Sequence, residues 1–248
     1  MPPRKIDAVL FDLDGTLRHN VPAGHDTLVE FLKELGHDVA PDRIPESHRW
    51  THRYWSIDPE RLADMAELGD GTPQFWARQS ARQLAVLGIE GDLPAIAAEI
   101  SRLFEERYKP AHHVPDDVIP TLRRLHDLGY KVGLVSNRDE PLEAIVAELG
   151  LADFFVFTLS AGQAQSWKPH PAIFTQALAL AGCPPETTVY VGDNYYADVE
   201  GARAAGLLPI LIDPDGFFPN PGCPVIRSLG ELESALAQLA AIEPAPSD

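Results

Sequence analysis

A chain of 248 residues, 45% hydrophobic and 23% charged, can bury a sizeable core, as one large domain or as one domain carrying an insertion. Its net charge of −17 repels a phosphate backbone and no basic run locally reverses it, which argues against nucleic acid as a partner. No apolar run approaches the roughly 18 residues of a membrane helix, so no membrane partner is expected. Cys183 and Cys223 are too few for a disulfide framework and lack zinc-site spacing, which suits a reducing cytoplasm.

The N-terminus, MPPRK, passes straight into a short strand-like stretch, so neither signal peptide nor anchor is expected. MPPRK and EPAPSD are Pro-rich and polar and are expected to fray, with 243–248 a disordered tail. Along the chain, apolar runs at Ala8 to Phe11, Val132 to Val135, Phe154 to Phe157, Val189 to Val191 and Leu207 to Ile212 read as strands of a parallel sheet buried on both faces. Amphipathic patterns lie between them: Asp116 to Leu128, Glu140 to Leu149 and Pro171 to Ala181, each followed by a capping glycine at 129, 150 and 182. This alternation predicts right-handed crossovers and a three-layer α/β sandwich.

From about Val21 to His112 the pattern is helical only, as at Asp26 to Leu35, Gln74 to Leu87 and Ala95 to Tyr108. The predicted organisation is therefore a core of 1–20 and 113–242 with a helical domain, 21–112, inserted after the first strand. The Pro-bearing segments Arg18 to Gly24 and Pro110 to Pro115 are the expected hinges.

Four strand ends carry polar residues suited to chemistry. Asp12 and Asp14, in DLDGT, follow the first strand, at the edge where open α/β sheets bind ligands. Ser136 and Asn137 follow the second strand, where a hydroxyl and backbone N–H groups at a helix start can hold phosphate. Lys168 lies in SWKPHP, and Asp193 and Asp198 lie in VYVGDNYYAD. Each alone reads as a turn, a cap or a surface charge. Their convergence points to a shared site.

Taken in order, FDLDGT, VSN, WKPHP and GDNYYAD resemble the four motifs of the haloacid dehalogenase superfamily, over a core from Asp7 to about Asp213. The helical insertion resembles the C1 cap of its subclass I. The resemblance implies a Rossmann-like sheet of order 5-4-1-2-3 and a Mg²⁺-dependent phosphatase acting on a small phosphorylated metabolite. Asp12 would be the nucleophile forming an aspartyl phosphate. Asp14 would be the general acid and then base. Asp12 and Asp193 carboxylates with the Asp14 backbone carbonyl would hold Mg²⁺. Ser136 and Asn137 would bind phosphoryl oxygens and Lys168 would neutralise charge. Asp198 would orient Lys168 or a metal-bound water. Leu17, Arg18, His19 and Asn20 depart from the acid and serine that many relatives carry after the first motif.

Asp14 separates this pattern from the dehalogenases and phosphonate hydrolases of the superfamily, which lack a carboxylate there. The alternatives to a phosphatase are a phosphomutase using the same residues and, in another class, a catalytically silent phospholigand-binding module. In the inserted domain, HRWTHRYW places His48 with His52, and Arg49 with Arg53, four apart on one helix. Trp50, Trp55 and Trp76 are expected to pack its core, whereas Trp167 adjoins Lys168 and could stack on a planar portion of the substrate. His48, His52, Arg49 and Arg53 are expected to face solvent, with the alternative that Arg49 or Arg53, as candidate substrate-binding residues, reaches the leaving group.

Overall fold

The computed structural model describes residues 4–56 and 58–241. The expected disordered tail, 243–248, lies outside the described residues. The chain divides into two compact units, one formed by residues up to His19 with those from His112 onward, the other by Asn20–Ala111. Among the described residues no helix is long and apolar enough to cross a membrane.

Among the described residues eight strands form: β1 (Ala8–Phe11), β2 (His19–Val21), β3 (Ala111–His113), β4 (Lys131–Ser136), β5 (Phe157–Ser160), β6 (Thr188–Gly192), β7 (Leu208–Ile212) and β8 (Val225–Ile226). Six of them make one parallel sheet, in the order β5-β4-β1-β6-β7-β8, and β2 pairs with β3 in a two-stranded ribbon. The six-stranded sheet contains the expected 5-4-1-2-3 order and differs from it by a sixth strand, β8, added at one edge. A two-residue strand, one of whose residues is exposed, shows no apolar run.

Residues of the central strand are buried on both faces, as a strand covered on both sides must be. Val9 and Phe11 pack in one apolar cluster with Leu122, Leu125, Leu232 and Leu236. Ala8 and Leu10 pack on the opposite face with Ile173, Phe174 and Ala177.

The helical unit holds α1 (Gly24–Glu34), α2 (Arg43–Trp55), α3 (Pro59–Leu68), α4 (Pro73–Val86) and α5 (Leu93–Arg107). Three of these begin on a capping side chain: Asp58 accepts from Glu60 N–H, Thr72 from Phe75 N–H and Asp92 from Ala95 N–H. A proline in the first turn follows each cap, where its missing N–H costs nothing. Two apolar clusters hold the unit together: Phe31, Leu32, Leu84 and Ile100 in one, Trp50, Tyr54 and Phe75 in the other, with Trp55 packed against the second. Trp76 remains exposed, against the expectation for a core tryptophan, but its ring meets Trp55 at 5.5 Å and Phe75 at 5.6 Å.

The remaining helices are α6 (Val118–Asp127), α7 (Glu143–Glu148), α8 (Ala161–Ala164), α9 (Pro171–Ala181), α10 (Gly201–Ala204) and α11 (Leu232–Ala241). Two expectations need correction. The strand expected at Phe154 to Phe157 runs instead over Phe157–Ser160, because Ala152–Phe154 forms a 3-10 turn after Gly150. Phe154 and Phe155 are core-packing residues outside any strand, so apolar content alone misplaced the element. The helix expected from Glu140 starts only at Glu143. Pro141 disfavours helical backbone at the residue before it, which leaves Asn137 to Leu142 as a loop.

Candidate active site

The parallel register carries the motifs to one sheet edge. β1 lies between β4 and β6, with Phe11 opposite Leu134 and Val191, so the residues leaving these three strands emerge side by side. Asp12 N–H still donates to Val191 O at 2.9 Å, extending the ladder by one residue before the chain turns away. Gly15 has a positive φ of 95°, and a Cβ there would strike the Asp193 carboxylate. Gly192 is equally constrained, since a Cβ would strike Asp198. Glycine at both positions lets the first and fourth motifs approach.

At the centre sits Lys168. Its ammonium donates to Asp12 Oδ1 at 2.6 Å, to Asp198 Oδ1 at 2.7 Å and to the Tyr190 hydroxyl at 3.0 Å, so all three of its donors are used. Tyr190 in turn donates to Val135 O at 2.9 Å. The Asn137 side chain fixes the lysine backbone from both sides: its amide donates to Lys168 O at 3.0 Å and its carbonyl oxygen accepts from Lys168 N–H at 2.7 Å. Asp198 lies on a single π-helical turn, Tyr195–Glu200, whose Asn194 cap accepts from two backbone N–H groups. Asp198 Oδ2 accepts from Asn194 N–H at 2.9 Å. Both Asp198 oxygens are thus occupied in holding Lys168 and the loop.

The cluster is short of positive charge. Carboxylate oxygens of Asp12, Asp193 and Asp198 all lie within 4.8 Å of one another, with Lys168 between two of them. Three acids against one base leave an excess of two negative charges where little water can screen them. Burial pushes Asp12 up to about 7, with the Asp198 and Asp14 charges adding to it and Lys168 opposing. Desolvation and the Asp12 and Asp198 charges hold Asp193 well above the ordinary carboxylate range, although Thr16 Oγ1 donates to it at 3.1 Å. Burial alone would lower Lys168, but Asp12 and Asp198 outweigh it and hold the ammonium well above its usual value. A divalent cation that takes hard oxygen ligands is the partner this donor set fits, since it would supply the missing charge.

Asp14 faces a different environment. Arg138 donates to both of its oxygens, at 2.6 and 2.8 Å, and Arg18 reaches Oδ1 at 2.8 Å. Neither arginine is assigned a role by the motifs. Arg18 lies in the stretch Leu17 to Asn20 that departs from the family pattern, and Arg138 merely follows Asn137. Tyr190 is likewise unassigned, although a tyrosine inside a buried strand must find a hydrogen-bond partner for its hydroxyl.

Asp12, Asp14, Ser136, Asn137, Lys168, Asp193 and Asp198 therefore gather at one edge of the sheet-containing unit. Two details differ from expectation. Ser136 and Asn137 do not open a helix, and the Asn137 side chain is spent on Lys168. The buried Ser136 Oγ accepts from Arg138 N–H at 3.4 Å. Arg49 and Arg53 belong to the helical unit, on α2, where Arg53 Nε is 2.9 Å from the Asp58 carboxylate. His48 shares that helix and its ring lies 3.9 Å from His25. Trp167 is exposed beside Lys168.

A doubly covered parallel sheet with a buried acid-lysine cluster at its C-terminal edge defines an α/β protein whose ligand site lies at that edge. The haloacid dehalogenase-like hydrolase model matches residues 6–206, and the chain belongs to that family of hydrolytic enzymes. It is 34% identical over 234 residues to human haloacid dehalogenase-like hydrolase domain-containing protein 3, covering 94% of this chain and 90% of the relative. A phosphoglycolate phosphatase of Pseudomonas savastanoi is 29% identical over 221 residues, 88% of this chain and 72% of that protein. Among solved structures, a 2-haloacid dehalogenase of Pseudomonas syringae superposes with a TM-score of 0.55 at 27% identity, covering 94% and 99% of the two chains. A phosphatase from Thermococcus onnurineus shares the fold, with a TM-score of 0.55 at 23% identity over 93% and 98%.

Proposed function

We propose that this hydrolase is a Mg²⁺-dependent phosphatase that cleaves a small phosphorylated metabolite through an aspartyl-phosphate intermediate, with the helical unit serving as its cap. The observation that carries this reading is the pair of carboxylates two residues apart after β1: Asp12 against Lys168, and Asp14 held outside that cluster. A halide leaves without a proton, whereas an alkoxide does not, and Asp14 provides the group that a phosphomonoester requires.

In this reading an Asp12 oxygen attacks phosphorus and forms the acyl phosphate as the ester P–O bond breaks. Asp14 passes a proton to the departing oxygen, then takes one from the water that hydrolyses the acyl phosphate. Lys168 holds the Asp12 carboxylate in place and offsets charge gathering on the phosphoryl oxygens. The Ser136 hydroxyl and the backbone N–H groups of the loop after β4 bind those oxygens. Asp198 and Asn137 act through Lys168, as positioning residues. Mg²⁺ would be held by the Asp12 and Asp193 carboxylates with the Asp14 backbone carbonyl, and when bound it would neutralise the approach of one anion to another.

The test is phosphate release from p-nitrophenyl phosphate and from an alkyl phosphate, with Mg²⁺ and with a chelator. Turnover that the chelator abolishes and Mg²⁺ restores is expected. Asp14→Asn is expected to slow the alkyl ester about 10²-fold to 10⁴-fold and the nitrophenyl ester far less, because nitrophenolate departs without protonation. Equal losses would remove Asp14 from proton transfer, and no turnover with any divalent metal would favour a silent phospholigand-binding module.

A further inference from the structure

Two of the three acceptors on the Lys168 ammonium are carboxylates, Asp12 at 2.6 Å and Asp198 at 2.7 Å, and the third is the neutral Tyr190 hydroxyl at 3.0 Å. An ammonium has three protons, so this set is complete and does not include Asp193, the remaining acid of the cluster. Electrostatic attraction alone would choose otherwise. A charged acceptor binds an ammonium more strongly than a neutral one, and the Lys168 charge does act on Asp193. The fold must therefore hold the third proton on the tyrosine.

The surroundings of Tyr190 do this. The residue lies fully buried in β6, where its ring meets Phe174 edge-on at 5.1 Å and Lys168 Nζ stands 5.4 Å from the ring centroid. Its hydroxyl donates to Val135 O at 2.9 Å. With that proton committed, the oxygen presents only lone pairs to Lys168, so the bond between them has a single polarity. Burial, against the opposing Lys168 charge, holds the hydroxyl well above its usual value and keeps it a donor. Val135 immediately precedes Ser136, and the bonds from Lys168 to Tyr190 to Val135 thus fasten the lysine to the end of β4.

We infer that Tyr190 is a positioning residue for the metal site: by taking the third proton of Lys168 it keeps the ammonium off Asp193 and reserves the charge of that carboxylate for a divalent cation. This rests on the Mg²⁺ site proposed above, in which Asp193 is a ligand. An ammonium and a metal compete for one carboxylate, because either answers its charge. Loss of the hydroxyl alone leaves a buried N–H without an acceptor, which is costly, and the cluster's remaining negative charge is that of Asp193. The lysine is then drawn toward the ligand that the cation needs.

Tyr190→Phe tests it, since the ring and its packing stay and only the oxygen goes. In calorimetry with Mg²⁺ and no substrate, Kd is expected to rise about tenfold, the scale on which groups behind metal ligands act. With p-nitrophenyl phosphate, the Mg²⁺ concentration for half-maximal turnover is expected to rise by the same factor. The KM for the ester at saturating Mg²⁺ should stay within about twofold of wild type, because the hydroxyl acts on the metal site and not on substrate binding. Phe174→Leu loosens the same packing but keeps the hydroxyl, and is expected to lower Tm while leaving the Mg²⁺ affinity in place. A Kd in Tyr190→Phe that is unchanged or lower, or an equal rise in Phe174→Leu, overturns the inference and leaves the phosphatase reading intact. If the wild type binds Mg²⁺ but releases no phosphate, the phosphatase reading fails while the shift in Kd still decides the role of Tyr190. A wild type that binds no Mg²⁺ overturns both.

Discussion

Each of the two units contains a buried charge network, and they are balanced in opposite ways. In the sheet-containing unit, Lys168 faces Asp12 and Asp198 with Asp193 close by, three acids to one base. In the helical unit, Asp64 is fully buried and faces Arg82, which donates to its two oxygens at 2.8 and 3.0 Å, Arg78 at 3.5 Å and the Tyr54 hydroxyl at 3.2 Å. There one buried acid meets two bases and a hydroxyl, and the two arginines also reach the more exposed Glu60 at 3.1 Å and Glu67 at 3.3 Å. Burial first, and then the Asp64 charge, raise the Tyr54 hydroxyl, which therefore stays protonated and donating. A network whose charges are answered by its own side chains joins α2, α3 and α4 and asks for nothing more. A network left two charges short holds its acids under mutual repulsion and fits a divalent cation.

The sharpest way to break this comparison is Asp12→Asn. Turnover is expected to fall about 10⁴-fold or more, since an amide cannot act as the nucleophile. The metal-free protein should nevertheless become more stable at neutral pH, because one of the crowded charges is gone. The sign follows from Asp12, which is raised from 3.8 to about 7 in the fold. Its contribution to stability is present in full below the unfolded value and is lost as pH rises through about 7. In chelator, the Tm of the wild type is therefore expected to drop by several degrees between pH 5 and 8, Mg²⁺ should reverse the drop, and Asp12→Asn should flatten it. A Tm in chelator indifferent to pH would place this network with the balanced one.

Asp64→Ala probes the other side. Breaking a fully buried ion pair costs about 3–5 kcal/mol, and the part-exposed Arg82 side chain brings the expected loss to about 2–3 kcal/mol. At about 2–4 °C per kcal/mol this lowers Tm visibly in a thermal melt. A loss under about 1 kcal/mol would show that the helical unit does not depend on its charge network. The smallest effect is expected for Arg53→Ala. Arg53 is exposed in its pair with Asp58, so its removal should cost less than about 1 kcal/mol. An unchanged Tm with a several-fold rise in KM for the physiological substrate, and none for p-nitrophenyl phosphate, would instead give Arg53 the substrate-binding role that its helix spacing suggested.

Much of the candidate site was legible because it sits where the fold leaves little freedom. Asp12, Lys168, Asp193 and Asp198 follow strand-like runs or sit next to prolines and glycines, and those signals survive without any contact being known. Arg18 and Arg138 were not legible in that sense. They lie 120 residues apart in sequence, and nothing in either local pattern says that both guanidiniums close on Asp14. Asn137 was legible as a candidate but its contacts were not, because its two bonds run to the backbone of Lys168, in another loop.

The sequence by itself determined the alternation of strands and helices, the helical insertion after β1, and the four polar strand ends, because these follow from local periodicity, capping and turn chemistry. It also misplaced β5 by three residues, since Phe154 and Phe155 have the apolar content of a strand while packing from a turn. Only the tertiary structure decided which charges answer which. Charge balance is a sum over groups that parallel register and loop closure bring within a few ångströms, and it has no counterpart in the order of residues along the chain. That sum makes Lys168 the centre of an acid-rich cluster and turns Arg18 and Arg138 toward a single carboxylate.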